Sequence, residues 1–165
     1  MDNAYKVFIV DDDTKHQLLI KNHFENKLKH KFEISLFTNG EDCLKQIQKK
    51  PEAIILDYYL DTRNSTAKDG LKILEKIKNH QPSIPVVIIS GQEQMQVAID
   101  AFGLGAYDYV IKNETSLLRL GIIVDKIIAE KRQSKFFEEQ KKIRYLLIFI
   151  VIALVATVIA SAIYF

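Results

Sequence analysis

The sequence predicts an α/β fold: a five-stranded parallel, doubly wound sheet with helices on both faces, followed by a C-terminal transmembrane helix. Three observations predict it. Short runs rich in β-branched residues alternate with longer segments of helical spacing. Five such β-α pairs follow one another, the signature of a parallel sheet buried on both faces. The composition then breaks, and residues 145–165, "YLLIFIVIALVATVIASAIYF", carry no charge.

The elements follow in order. The strands are "VFIV" at 7–10, "EISLF" at 33–37, "AIIL" at 53–56, "VVII" at 86–89 and "YDYVI" at 107–111. The first helix covers 14–29, with Leu18, Leu19, Phe24 and Leu28 as its apolar positions. The second covers 41–49 with Leu44 and Ile47, capped by Asn39. The third, 70–79, carries Leu71, Leu74 and Ile77, and Val97 and Leu104 bound a short fourth. Leu117, Leu120, Val124, Ile127 and Ile128 mark one face of a fifth helix starting near Glu114. Pro82 and Pro85 punctuate the approach to the fourth strand.

Composition excludes several classes. The net charge is +2 with 27% charged residues, and no basic stripe interleaved with aromatics points to nucleic acid. Cys43 is the single cysteine, so an intrachain disulfide is impossible, and its place beside Leu44 reads as a small core residue. The N-terminus has no signal-peptide apolar region. His16, His23, His30 and His80 have no metal-ligand spacing and read as surface residues.

At about 1.5 Å per residue, residues 145–165 would make a helix roughly 31 Å long, matching a hydrocarbon core of about 30 Å. Lys131, Arg132, Lys135, Lys141, Lys142 and Arg144 precede it, which places that end in the cytoplasm. The expected organisation is a domain over 1–130, a basic, helical juxtamembrane linker over 131–144 and a membrane span over 145–165. Ala153, Thr157 and Ser161 recur every four residues in the span, with Ala156 and Ala160 as a second small pair. That spacing suits close approach of two spans, hence a homodimer.

The chemistry gathers at the strand ends. In open parallel sheets, ligands bind beyond the carboxyl ends of the strands at a topological switch point. Asp11 and Asp12 follow the first strand, Asp57 the third, Ser90 the fourth and Lys112 the fifth. If these strands are neighbours, three carboxylates, a hydroxyl and an ammonium converge. Such a pocket calls for a divalent cation with oxygen ligands, which suits Mg²⁺. One carboxylate could then act as nucleophile towards a phosphoryl group, with the metal and lysine neutralising its oxygens.

"VDDD" after the first strand, "IILDYYL" at the third, "DG" at Asp69-Gly70, "VVIISG" at the fourth and "GAYDYVIKN" at the fifth stand in this order over about residues 4–130. In that order they resemble the receiver domain of two-component response regulators. The resemblance implies a flavodoxin-like strand order 2-1-3-4-5. It implies that Asp57 accepts a phosphoryl group from a histidine kinase or histidine phosphotransfer protein. Asp11 and Asp12 would hold Mg²⁺ with Asp57 and the backbone carbonyl of Tyr59. Lys112 would pair with the phosphoryl group, Ser90 would hydrogen-bond it, and Tyr109 would be the coupled aromatic of the switch. Asp13 reads as a helix cap.

Three departures from the family pattern stand out. The loop at 58–69 is about five residues long beyond the family's usual length and lacks its proline. Asn113 follows Lys112 where the family has a cis-proline. A membrane helix stands where an output domain would follow. The expectation is a stand-alone, membrane-anchored phosphoacceptor, not a turnover enzyme, in the bacterial inner membrane with its receiver in the cytoplasm. Tyr59 and Gln92 would govern water access to the acyl phosphate. Two alternatives compete. One is a non-phosphorylated pseudo-receiver acting as a membrane scaffold. The other is a haloacid-dehalogenase-type phosphatase with Asp11 as nucleophile and Asp13 as general acid.

Overall fold

The computed structural model describes residues 4–60, 69–91 and 95–164, with side chains at 69, 158 and 160–164 left aside. Residues 61–68 of the expected loop insertion at 58–69, and Gln92, lie outside the described residues. The chain divides into two compact units, Met1–Ile127 and Ile128–Phe165.

In the first unit the strands are β1 (Tyr5–Val10), β2 (Phe32–Phe37), β3 (Ala53–Asp57), β4 (Val86–Ser90) and β5 (Asp108–Ile111). They form one sheet in the order β2-β1-β3-β4-β5, every neighbour parallel. The expected order is therefore observed. The crossover from β1 goes to one side and that to β3 returns to the other, so the switch point lies between them.

The helices are α1 (Thr14–Lys27), α2 (Gly40–Lys45), α3 (Asp69–His80), α4 (Met95–Gly103) and α5 (Ser116–Tyr164), with a 3₁₀ turn at Ile47–Lys49. Both predicted caps are present. Asp13 accepts hydrogen bonds from the Lys15 and His16 N–H groups, and Asn39 accepts one from Asp42 N–H. At the start of α5, Asn113 Oδ1 accepts from the Thr115 N–H at 3.0 Å. The described residues contain no cis peptide, so Lys112–Asn113 is trans.

The core fills both sides of the sheet. Ile9, Ile55, Leu56, Ile88 and Val110 of the strands have no solvent exposure, and Leu74, Ile77 and Val124 of the helices have none or nearly none. Cys43 is fully buried, as expected. Helix α1 departs from the expected face. Leu18 and Leu19 are exposed, while Gln17, Ile20 and Phe24 are buried. The reason is polar: the Gln17 amide donates to the carbonyls of Asp11 and Phe37, both at 2.7 Å, and so fixes which side of the helix turns inward.

Gly70 opens α3 where nothing larger fits. A Cβ there would lie 2.5 Å from the Asp57 carbonyl oxygen and 2.8 Å from Tyr58 Cα. The helix therefore rests directly on the backbone that carries Asp57.

In the second unit the helix begun at Ser116 continues to Tyr164. Its described side chains from Arg132 onward are all exposed, including Phe149, Ile152 and Leu154. Among the described residues, no helix is long and apolar enough to cross a membrane. The expected span over 145–165 therefore does not stand as an observed element.

Candidate functional site

The site forms because parallel pairing aligns the strand ends. The register sets Val10 against Leu56, Asp57 against Ile89 and Ser90 against Ile111. Asp11, the residue after β1, is tied into the sheet by its N–H donating to the Phe37 carbonyl at 3.0 Å. Lys112, the residue after β5, donates its N–H to the Ser90 carbonyl at 2.7 Å. Residues 101 and 55 positions apart in sequence thus meet: Lys112 Nζ lies 2.9 Å from Asp11 Oδ2 and 2.7 Å from Asp57 Oδ2.

Asp11, Asp12 and Asp57 each offer a carboxylate oxygen, and these oxygens all lie within 4.8 Å of one another. Asp11 and Asp57 are buried and Asp12 is exposed. Burial pushes the Asp57 carboxyl upward, and the neighbouring Asp11 charge adds to the rise. Bonds from Lys112 and the Tyr59 N–H oppose it without cancelling it. Burial also works against the Asp11 carboxylate, but its bonds from His16 and Lys112 outweigh it and hold the group below its ordinary value. Burial disfavours the charged Lys112 too, yet the two carboxylates raise it. The result is a lysine held charged between one readily ionised carboxylate and one that resists ionisation without a further cation. Oxygen donors of this kind and number fit a hard divalent ion such as Mg²⁺.

The remaining expected site residues fall around this centre. Tyr59 closes over Asp57 through its N–H, 3.3 Å from Oδ1. Ser90 ends β4 and is buried. Tyr109 is buried in β5, paired with Ile88. Asp13 serves as the α1 cap, its Oδ1 accepting from the Lys15 and His16 N–H groups.

One residue was missed. His16 was read as a surface residue, but its Nδ1 lies 2.6 Å from Asp11 Oδ2 and its ring is largely covered. The spacing contained a signal: five residues after Asp11, His16 stands in the first turn of a helix whose cap adjoins the site.

Fold and site together define a receiver, and residues 7–120 match the family model described as the response regulator receiver domain. The chain belongs to that family. It is 40% identical over 107 residues to a protein of Rickettsia typhi named as an NtrX-like response regulator, covering 64% of this chain and 21% of that protein. It is 28% identical over 141 residues to the nitrogen assimilation regulatory protein NtrX of Azorhizobium caulinodans, covering 85% of this chain and 30% of that one. The chain thus spans about a fifth to a third of these relatives. Among solved structures, the receiver domain of NtrX from Brucella abortus aligns with a TM-score of 0.63 at 27% identity, over 74% of this chain and 98% of that one. A receiver domain protein from Methanospirillum hungatei aligns with a TM-score of 0.66 at 20% identity, over 79% and 99%, which speaks to the fold.

Proposed function

We propose that this chain is a phosphoryl-accepting receiver, with Asp57 as acceptor and a histidine kinase or histidine phosphotransfer protein as donor. The observation that carries the reading is the Lys112 ammonium bridging Asp11 and Asp57 beside a third carboxylate. A carboxylate oxygen of Asp57 attacks the phosphorus of a phosphohistidine. The new P–O bond forms as the P–N bond breaks, and the leaving imidazole takes a proton. Lys112 is placed to neutralise charge on the transferred group. Ser90, at the end of the adjacent strand, is the candidate hydrogen-bond donor to it, and Tyr109 the candidate element that reports its presence. Asp11, Asp12, Asp57 and the Tyr59 carbonyl would hold Mg²⁺, which supplies charge neutralisation for the phosphoryl oxygens. The output is a change in protein–protein contacts.

The test is labelling with acetyl phosphate and Mg²⁺, followed by mass spectrometry. Stable label on Asp57 supports the reading. No label on any residue would favour the scaffold alternative, and turnover through Asp11 the phosphatase.

The membrane anchor is part of the same proposal. Residues 145–165 are free of charge in sequence and follow six basic residues. The helix is unbroken to Tyr164, its described apolar side chains are exposed, and Thr157 satisfies its hydroxyl within the helix on the Leu154 carbonyl at 2.7 Å. The receiver would then face the cytoplasm, with spans paired through Ala156 and Thr157. Residues 1–130, 131–144 and 145–165 would act as receiver, linker and anchor. Fractionation tests this: full-length protein should stay with membranes after alkaline carbonate washing, and a chain ending at Arg132 should not. Release of the full-length protein would remove the anchor from the proposal.

A further inference from the structure

We infer that His16 is a positioning residue for the cation site, holding Asp11 in the orientation that cation binding requires. The inference rests on the reading of Asp11, Asp12 and Asp57 as a cation site.

The geometry is specific. Asp11 Oδ2 accepts from His16 Nδ1 at 2.6 Å and from Lys112 Nζ at 2.9 Å, while Oδ1 accepts the Asp13 N–H at 2.8 Å. An ionised carboxylate has no proton to donate, so Nδ1 must carry the hydrogen. The carboxylate is thereby held at both oxygens by donors from three directions. The set of mutually close ligand atoms is Asp11, Asp12 and Asp57 and does not extend to the imidazole. His16 therefore acts on the site through Asp11. It also shares with Lys112 the wall of a cavity of about 360 Å³ that includes Leu19, Asn113 and Leu117.

The chemical consequence follows from where the donor stands. Lys112 brings a positive charge that competes with a cation for the same carboxylates. The His16 N–H orients Asp11 from α1, so Oδ2 is not left to the Lys112 ammonium alone. Without it, the described side chain left on Oδ2 would be Lys112, whose ammonium is shared with Asp57. Donors of this outer kind typically change metal affinity by about 10–100-fold.

The test measures Mn²⁺ binding to the full-length protein, using the paramagnetic resonance signal of the free ion, in wild type, Asp12→Ala, His16→Leu, His16→Asn and His16→Gln. The amide nitrogen of Asn occupies nearly the place of Nδ1, and that of Gln the place of Nε2. His16→Leu and His16→Gln should weaken binding about tenfold, at the low end of that range, and His16→Asn should stay within about threefold of wild type. Circular dichroism verifies folding. The Asn and Gln variants differ by one methylene, so their contrast is informative even if His16→Leu fails to fold. Long-range ¹H–¹⁵N spectra should show the Nδ1–H tautomer. Unchanged binding in His16→Leu, equal weakening in Asn and Gln, or an Nε2–H tautomer overturns the inference while wild type still binds Mn²⁺ better than Asp12→Ala. If wild type and Asp12→Ala bind alike, the cation site itself is wrong, and the role of His16 falls with it.

Discussion

The body of the sheet and its carboxyl rim are built on the same five strands, yet opposite forces govern them. In the body, Ile9, Ile55 and Ile88 are fully buried among other apolar side chains, and burying each stabilises the fold by about 1.5–3 kcal/mol. At the rim, Asp11 and Asp57 are just as inaccessible, at 1% and 3% exposure, and burying carboxylates costs free energy unless they are paired. Lys112 pairs with both but brings one charge to three carboxylates. The body therefore provides the stability that lets the rim remain poorly neutralised, and that unmet negative charge is what a cation would neutralise.

The sharpest way to separate the regions is at the acceptor. Asp57→Asn should reduce acetyl-phosphate labelling to background while leaving circular dichroism unchanged; normal labelling would mean that the rim's chemistry lies elsewhere. Next, in the body, Leu74→Ala should lower stability in urea unfolding by about 2–5 kcal/mol yet leave Mn²⁺ affinity within about twofold of wild type. A matching loss of cation binding would show that the two regions are not separable. Smaller and of opposite sign is the effect of Asp57→Asn on stability without metal. Burial and the Asp11 charge both disfavour this carboxylate, so the neutral amide should raise stability by on the order of 1 kcal/mol. Adding Mg²⁺ should then raise the melting temperature of wild type and not of the variant.

The smallest effect concerns an ionisable group buried in the body, Cys43. Burial pushes the Cys43 thiol from 9.0 up to about 12. Because the folded state keeps a proton that the unfolded chain loses, this group's contribution to stability is intact below about 9 and falls as pH rises towards about 12. At pH 8, iodoacetamide should modify Cys43 slowly in native protein and rapidly in urea. Equal rates would mean that the body opens as readily as a surface.

Much of this was legible beforehand, for reasons that can be located. The runs at 53–56 and 86–89 read as buried strands because only a sheet covered on both faces accepts such continuous apolar segments. Asp57 and Lys112 were legible because a charged residue directly after such a run must lie at the strand's end. Helix α1 was not legible in the same way. Leu18 and Leu19 outweigh Gln17 in any count of apolar residues, yet Gln17 turns inward because two carbonyls, one of them on another strand, await its amide. His16 was misread for a related cause: a lone histidine carries no metal spacing, and its partner Asp11 was assigned to the ion alone.

What the sequence determined by itself is what depends on local pattern: the alternation of elements, the caps at Asp13 and Asn39, the small residue at Gly70, and the acidic and basic residues closing the strands. The charge-free run at 145–165 belongs to the same category. Tertiary structure alone decided which of those residues meet. Lys112 reaches Asp11 across 101 positions because β5 and β1 lie in one sheet on either side of β3 and β4. The direction in which α1 presents Gln17 and His16 was likewise set by partners on other elements. Hydrogen bonds between distant segments depend on positions that no local periodicity encodes, and in this protein those bonds hold the site together.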